Sequence, residues 1–226
     1  MQVDFAQKLT QALSHERLSA YARRAPGQGN RVLFAHYAWN MALSESLYPV
    51  LQALEVLLRN TVDNAARHYF GKADWYDDSR IIQHPNDRSS IDKARRILNR
   101  QNKPIEPGRI IAELNFGFWT SLFDRRYEQV LWPRMLKTTF PYMPRRIRTR
   151  QTLSKRFHRI RILRNRIFHH EPIWYWQDLL QQHVDILQAI SWIEPAMGDL
   201  VKTIDRFPSI CDNGLDEIIH QLEQFC

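Results

Sequence analysis

The chain is short of the residues that mark several large protein classes, and one long stretch of it carries no acid at all. Its 226 residues include two cysteines and seven glycines. Cys211 and Cys226 have no partnering pattern, which excludes a disulfide scaffold and fits a reducing compartment. So few glycines exclude a loop-rich or low-complexity chain, and none builds the glycine-rich turn that cradles a nucleotide phosphate. No His or Cys cluster has zinc spacing, and Asp77-Asp78 alone makes a poor metal site, so neither metal nor cofactor is expected. Long apolar runs are missing as well, since nothing approaches the roughly 18 residues of a membrane span. Met1-Gln2-Val3-Asp4-Phe5 lacks the basic start and apolar stretch of a signal peptide. A soluble, cytoplasmic protein with no membrane partner is the expectation.

The missing acids are the most informative absence. Residues 129–170 hold twelve Lys or Arg and no Asp or Glu; with those twelve taken from the net charge of +8, the rest of the chain sits at −4. Basicity is therefore a property of one segment. Such a segment attracts polyanions, nucleic acid first and an anionic membrane surface second, while a solvated basic helix without a partner is the bland alternative.

What is present suits a packed core: 44% apolar residues, with seven Trp, eight Tyr and eleven Phe. A single domain over 1–226 is expected. Helical periodicity dominates and no strand-like alternation stands out, so the fold class is all-α. Helices are expected over 4–24, over 31–70 with Pro49 as a kink or restart, from Ser90 until before Pro104, from Pro107, over 146–170, over 176–205 and over 213–225. Residues 71–89 read as a surface excursion. Leu47, Leu51, Leu54, Leu58, Val62 and Ala65 recur at helical steps as one buried face, and Ile110, Ile111, Leu114, Phe118 and Leu122 as another.

The acid-free segment closes on Leu163-Arg164-Asn165-Arg166-Ile167-Phe168-His169-His170-Glu171-Pro172. An Arg followed five to seven residues later by a His proves nothing alone: random placement gives about three such pairs, as many as the chain contains. Context separates them. Arg164 points within about 40° of Ile160, inside the stripe of Leu153, Phe157, Leu163 and Ile167, where a guanidinium is costly without a carboxylate, a cleft or a phosphate. Arg31, which precedes His36, stands at a helix start where exposure is cheap. On an ideal helix His169 lies about 140° from Arg164, but Pro172 should distort the last turn just where the histidines sit. Asn165 and His169, spaced i, i+4, can share a face.

This set of groups could cleave RNA without a metal: His169 transfers a proton, Arg164 stabilises charge on the phosphorane, and His170 or a second subunit fills the other proton-transfer role. In the bland reading, Arg164 pairs with Glu55, Glu113 or Glu171 and the histidines merely end a helix. Arg145, Arg146, Arg148 and Arg150, with Lys155, Arg159 and Arg166, are candidate phosphate contacts for RNA. Trp174-Tyr175-Trp176 could stack bases, although an aromatic cluster after a helix-ending proline usually anchors a core.

Taken together, these strings resemble the Abi-like (abortive infection) proteins of the HEPN superfamily. Leu54-Glu55 through Leu58-Arg59-Asn60 is similar to the family's central helix, and Ala112-Glu113-Leu114 through Phe116-Gly117-Phe118-Trp119 to its middle signature. Leu163 to Pro172 is similar to its HEPN motif, an Arg, a polar residue and then a His, here Arg164, Asn165 and His169. The resemblance implies an all-α helical bundle of HEPN type with additional helices, and a homodimer that brings two motifs to one cleft. It also implies metal-independent endoribonuclease activity in phage defence or in toxin–antitoxin pairs, with an antitoxin as a further partner. Two alternatives stay open: a non-catalytic nucleic-acid-binding HEPN module using the basic surface, and a purely structural interaction protein.

Overall fold

The computed structural model describes residues 3–223; Cys226 lies outside them. Among the described residues every regular element is a helix and no strand occurs, so the chain is all-α. It packs as two compact units. The first comprises residues up to 51, 162–184 and the residues from 202 on; the second comprises 52–161 and 185–201.

In the first unit, α1 (Val3–Leu13) and α2 (His15–Ala22) replace the single helix expected over 4–24. Ser14 breaks it: its φ is 64°, and its hydroxyl accepts from Arg17 N at 3.3 Å, capping α2 rather than extending α1. The 41-residue α3 (Asn30–Phe70) supplies its residues 30–51 here. It runs unbroken through Pro49, which leaves the Glu45 carbonyl without its helical donor. Ala6, Leu18 and Phe34 form one apolar cluster, packed against Leu9, Leu13, Leu33 and Tyr37. The last turns of α8 (Arg150–Phe168), the start of α9 (Leu179–Ile193) and α11 (Phe207–Leu222) complete the unit. Buried His183 contacts Asp205 at 2.8 Å and stacks on Phe207 at 4.7 Å between ring centroids.

In the second unit, α3 continues with Leu54, Leu58, Val62 and Ala65 buried as the spacing required. The region 71–89 is no surface excursion. A 3₁₀ turn at Trp75–Asp77 and the start of α4 (Pro85–Arg100) bury Trp75, Tyr76, Ile81 and Ile82, and Trp75 Nε1 donates to Asp63 at 2.8 Å. Its polar turn residues mask four core side chains. Then follow α5 (Pro107–Glu113), α6 (Phe116–Ser121) and α7 (Trp132–Thr139). Phe123 stacks on Trp132 at 4.2 Å and meets Phe157 of α8 at 4.8 Å, an aromatic core beneath the basic segment. Buried Asp87 accepts from Ser121 Oγ and Tyr127 Oη, each at 2.7 Å, and from Arg126 Nη2 at 3.2 Å. The helix expected over 176–205 ends at Ile193, and α10 (Pro195–Lys202) restarts at the proline.

Among the described residues α3 is the one helix long and apolar enough to cross a membrane, and 44% of its most apolar window is buried inside the protein.

Candidate active site at the end of α8

Helix α8 begins at Arg150 rather than near 146, with the Thr149 hydroxyl accepting from Thr152 N at 3.1 Å. Leu153, Phe157, Ile160, Leu163 and Ile167 are buried, so the expected stripe is the buried one. Arg164, on the edge of that stripe, is half-buried, and its guanidinium lies 4.0 Å over the Phe168 ring. Phe168 in turn meets Tyr48 at 5.6 Å between centroids. A cation–π face thus offsets part of the cost of drawing the guanidinium from water. Of the carboxylates weighed for Arg164, Glu171 is engaged by Arg166, at 3.2 Å.

The helix does not distort before the histidines. His169 N still bonds Asn165 O at 2.9 Å, so the turn holding Arg164, Asn165 and His169 is regular, and the chain reverses one residue later. His170 adopts the left-handed conformation at φ 56°; its N–H bonds Ile167 O at 3.0 Å and Glu171 N bonds Arg166 O at 2.8 Å. Those two bonds are the Schellman pattern, with a histidine where glycine is usual and Pro172 just beyond. Proline at 172 therefore ends the helix cleanly and displaces the distortion onto His170.

Four contacts clamp this turn. Arg17 Nη1 donates to His170 O at 2.6 Å, and Arg166 Nη2 to Pro172 O at 3.1 Å. Buried Asn40 of α3 accepts Ile173 N at 2.7 Å and Trp174 N at 3.3 Å on one side-chain oxygen. Below them His36 stacks on Trp174 at 3.9 Å; burial holds its imidazole below the usual pKa. Sequence reasoning missed Arg17 and Asn40, which carry no motif, and set His36 aside with Arg31; all three lie more than a hundred residues from the turn. Tyr175 and Trp176 are likewise occupied, by Arg24 at 4.2 Å and Arg166 at 5.4 Å, so the aromatic triplet anchors the turn.

Beside the turn opens a groove of about 360 Å³ lined by Ser44, Glu45, Tyr48, Pro49, Ile167, Phe168 and His170. His170 reaches this groove; His169 is exposed but does not line it. Neither imidazole, nor the exposed Asn165 amide, has a side-chain partner among the described residues. Two open imidazoles can transfer protons, and a guanidinium on an aromatic face can balance negative charge on a phosphorus centre. Cys211 is no rival nucleophile, because burial pushes its thiol up to about 11.

The seven candidate phosphate contacts divide. Arg145 and Arg146 are exposed, and Lys155 is exposed on α8. Arg148 Nε donates to Met143 O at 2.9 Å, Arg150 meets Glu128 at 3.3 Å, Arg159 meets Asp185 at 3.6 Å, and Arg166 is spent on the turn. The acid-free segment thus takes carboxylates from outside its own sequence, which composition cannot show. No family model, no curated protein and no solved structure matches the chain.

Proposed function

We propose that this chain is a metal-independent endoribonuclease of HEPN type, a cytoplasmic homodimer acting in abortive infection or as a toxin, with RNA as substrate and an antitoxin as a further partner. Arg164 and His169 are its principal catalytic residues, and Asn165 and His170 assist. The observation that carries the reading is the clamped turn after α8, where both imidazoles are left open within six residues of a half-buried Arg164.

In the reaction, the ribose 2′-hydroxyl attacks the adjacent phosphorus and the P–O5′ bond breaks, leaving a 2′,3′-cyclic phosphate and a 5′-hydroxyl. One imidazole accepts the 2′-hydroxyl proton, a second, protonated, delivers one to the departing O5′, and Arg164 balances charge on the phosphorane. Because α8 stays regular through His169, Arg164 and His169 of one chain diverge by about 140°. A second copy answers that divergence by supplying the missing group. Support for such pairing comes from exposed apolar side chains beside the motif: Met41 and Tyr48, two turns apart on α3, and Phe168.

The same divergence favours a second reading, a HEPN module that binds RNA without cutting it. Expression at matched protein levels separates the two. Growth arrest by wild type but not by Arg164→Ala supports the nuclease; identical growth with both supports the binding module.

A further inference from the structure

Within the second unit, α8 turns one polar face toward α6. Ser154, His158 and Arg161 fall within about 60° of one another around the helix, with Lys155 at the edge of the same face. Together they line one wall of a pocket of about 200 Å³ whose opposite wall is Thr120, Ser121 and Asp124.

Its charge balance distinguishes this pocket from its neighbours along α8. Arg150, Arg156, Arg159 and Arg166 each contact a carboxylate. Lys155 and Arg161 have none among the described residues, and Arg161 Nη2 stands 3.4 Å from His158 Nδ1. The one acid in the lining, Asp124, is held by Arg126 at 2.8 Å. The Ser154 side chain has no hydrogen-bond partner among the described residues, so its hydroxyl is available. Two uncompensated cations, an imidazole and a free hydroxyl therefore converge on one concavity. Arg161 and Lys155 are charge-assisted donors, planar and point-like respectively, of the kind that bind phosphate oxygens.

We propose that this pocket is a phosphate-binding site, taking a phosphate group of an RNA strand. That the ligand is RNA rests on the function proposed above; affinity for phosphate does not. The test uses the full chain carrying His169→Ala, so that binding is read without cutting. Lys155→Gln with Arg161→Gln is compared with a charge-matched control, Lys93→Gln with Arg96→Gln, on exposed positions of α4. Binding of a 5′-phosphorylated single-stranded RNA is followed by fluorescence anisotropy, and binding of inorganic pyrophosphate by calorimetry, after melting curves establish equal folding.

The pocket double should weaken RNA binding about tenfold or more at low salt while the control changes it by less than about threefold. Loss of pyrophosphate binding in the pocket double, with RNA binding unchanged, supports the pocket and assigns it to a free phosphate. If the pocket double and the control behave alike toward both ligands, the proposal is overturned. The nuclease reading stands or falls separately, on whether the chain with its native His169 cuts RNA.

Discussion

His170 sits in a backbone conformation that costs an L-residue about 1–2 kcal/mol, at φ 56° in the reversal after α8. Replacing it by glycine removes that cost, while the larger freedom of glycine in the unfolded chain returns about 0.4–1 kcal/mol. His170→Gly should therefore stabilise the protein by about 0.5–1 kcal/mol. For a chain of this size that raises Tm by about 1–4 °C. The clamp from Arg17 reaches the backbone oxygen at 2.6 Å and survives the change. His170→Ala keeps the left-handed cost and should melt below the glycine variant, within about 1 °C of wild type. Both variants lose the imidazole that lines the groove, so both should lose about tenfold or more in RNA cleavage. Side-by-side thermal melts and cleavage rates of the three proteins give the result. A glycine variant that melts no higher than the alanine variant would refute the strain, and undiminished cleavage in both would remove His170 from the site. Gain of stability with loss of activity is the signature of strain held for function.

Three further outcomes follow from contacts elsewhere. Burial depresses the folded-state pKa of His36, so its contribution to stability is complete above the unfolded value of about 6.5 and is lost as pH falls through the lower folded value; His36→Phe should flatten the decline in stability between pH 7 and pH 5 measured by denaturant titration. Asp87→Ala strands the buried Tyr127 hydroxyl, whose pKa is raised by burial and by Asp87, whereas Ser121 keeps Phe118 O at 2.8 Å and Arg126 can rehydrate. The cost should be about 1–3 kcal/mol, a fall in Tm of about 2–12 °C. Neutralising exposed Arg145 and Arg146 together should lower the slope of log affinity for single-stranded RNA against log salt by about 1.4, the release of two phosphate contacts.

Periodicity made the buried faces legible, because Leu54, Leu58 and Val62 on α3 and Leu153, Phe157 and Ile160 on α8 need only a helix and a core to be placed. Breaks were harder to read. Ser14 divides the first helix by capping the second, while Pro49 fails to divide α3. Residues 71–89 misled because turn-forming Gly, Asp and Pro flank Trp75, Tyr76, Ile81 and Ile82, and local composition cannot report burial against distant helices. At the candidate site, Arg164, Asn165, His169 and His170 were legible as a string. What holds them was not: Arg17, His36 and Asn40 converge only through tertiary packing. Pro172 correctly marked the end of the helix, but the distortion fell on His170 rather than within the turn that carries His169.

Incubating the purified full chain with labelled single-stranded RNA in EDTA shows whether the turn after α8 cuts RNA. Wild type should produce fragments ending in a 2′,3′-cyclic phosphate, and His169→Ala should slow that cleavage by about 10²–10⁴-fold with an unchanged melting curve. Equal cleavage by wild type and His169→Ala, or none by either, would contradict the account.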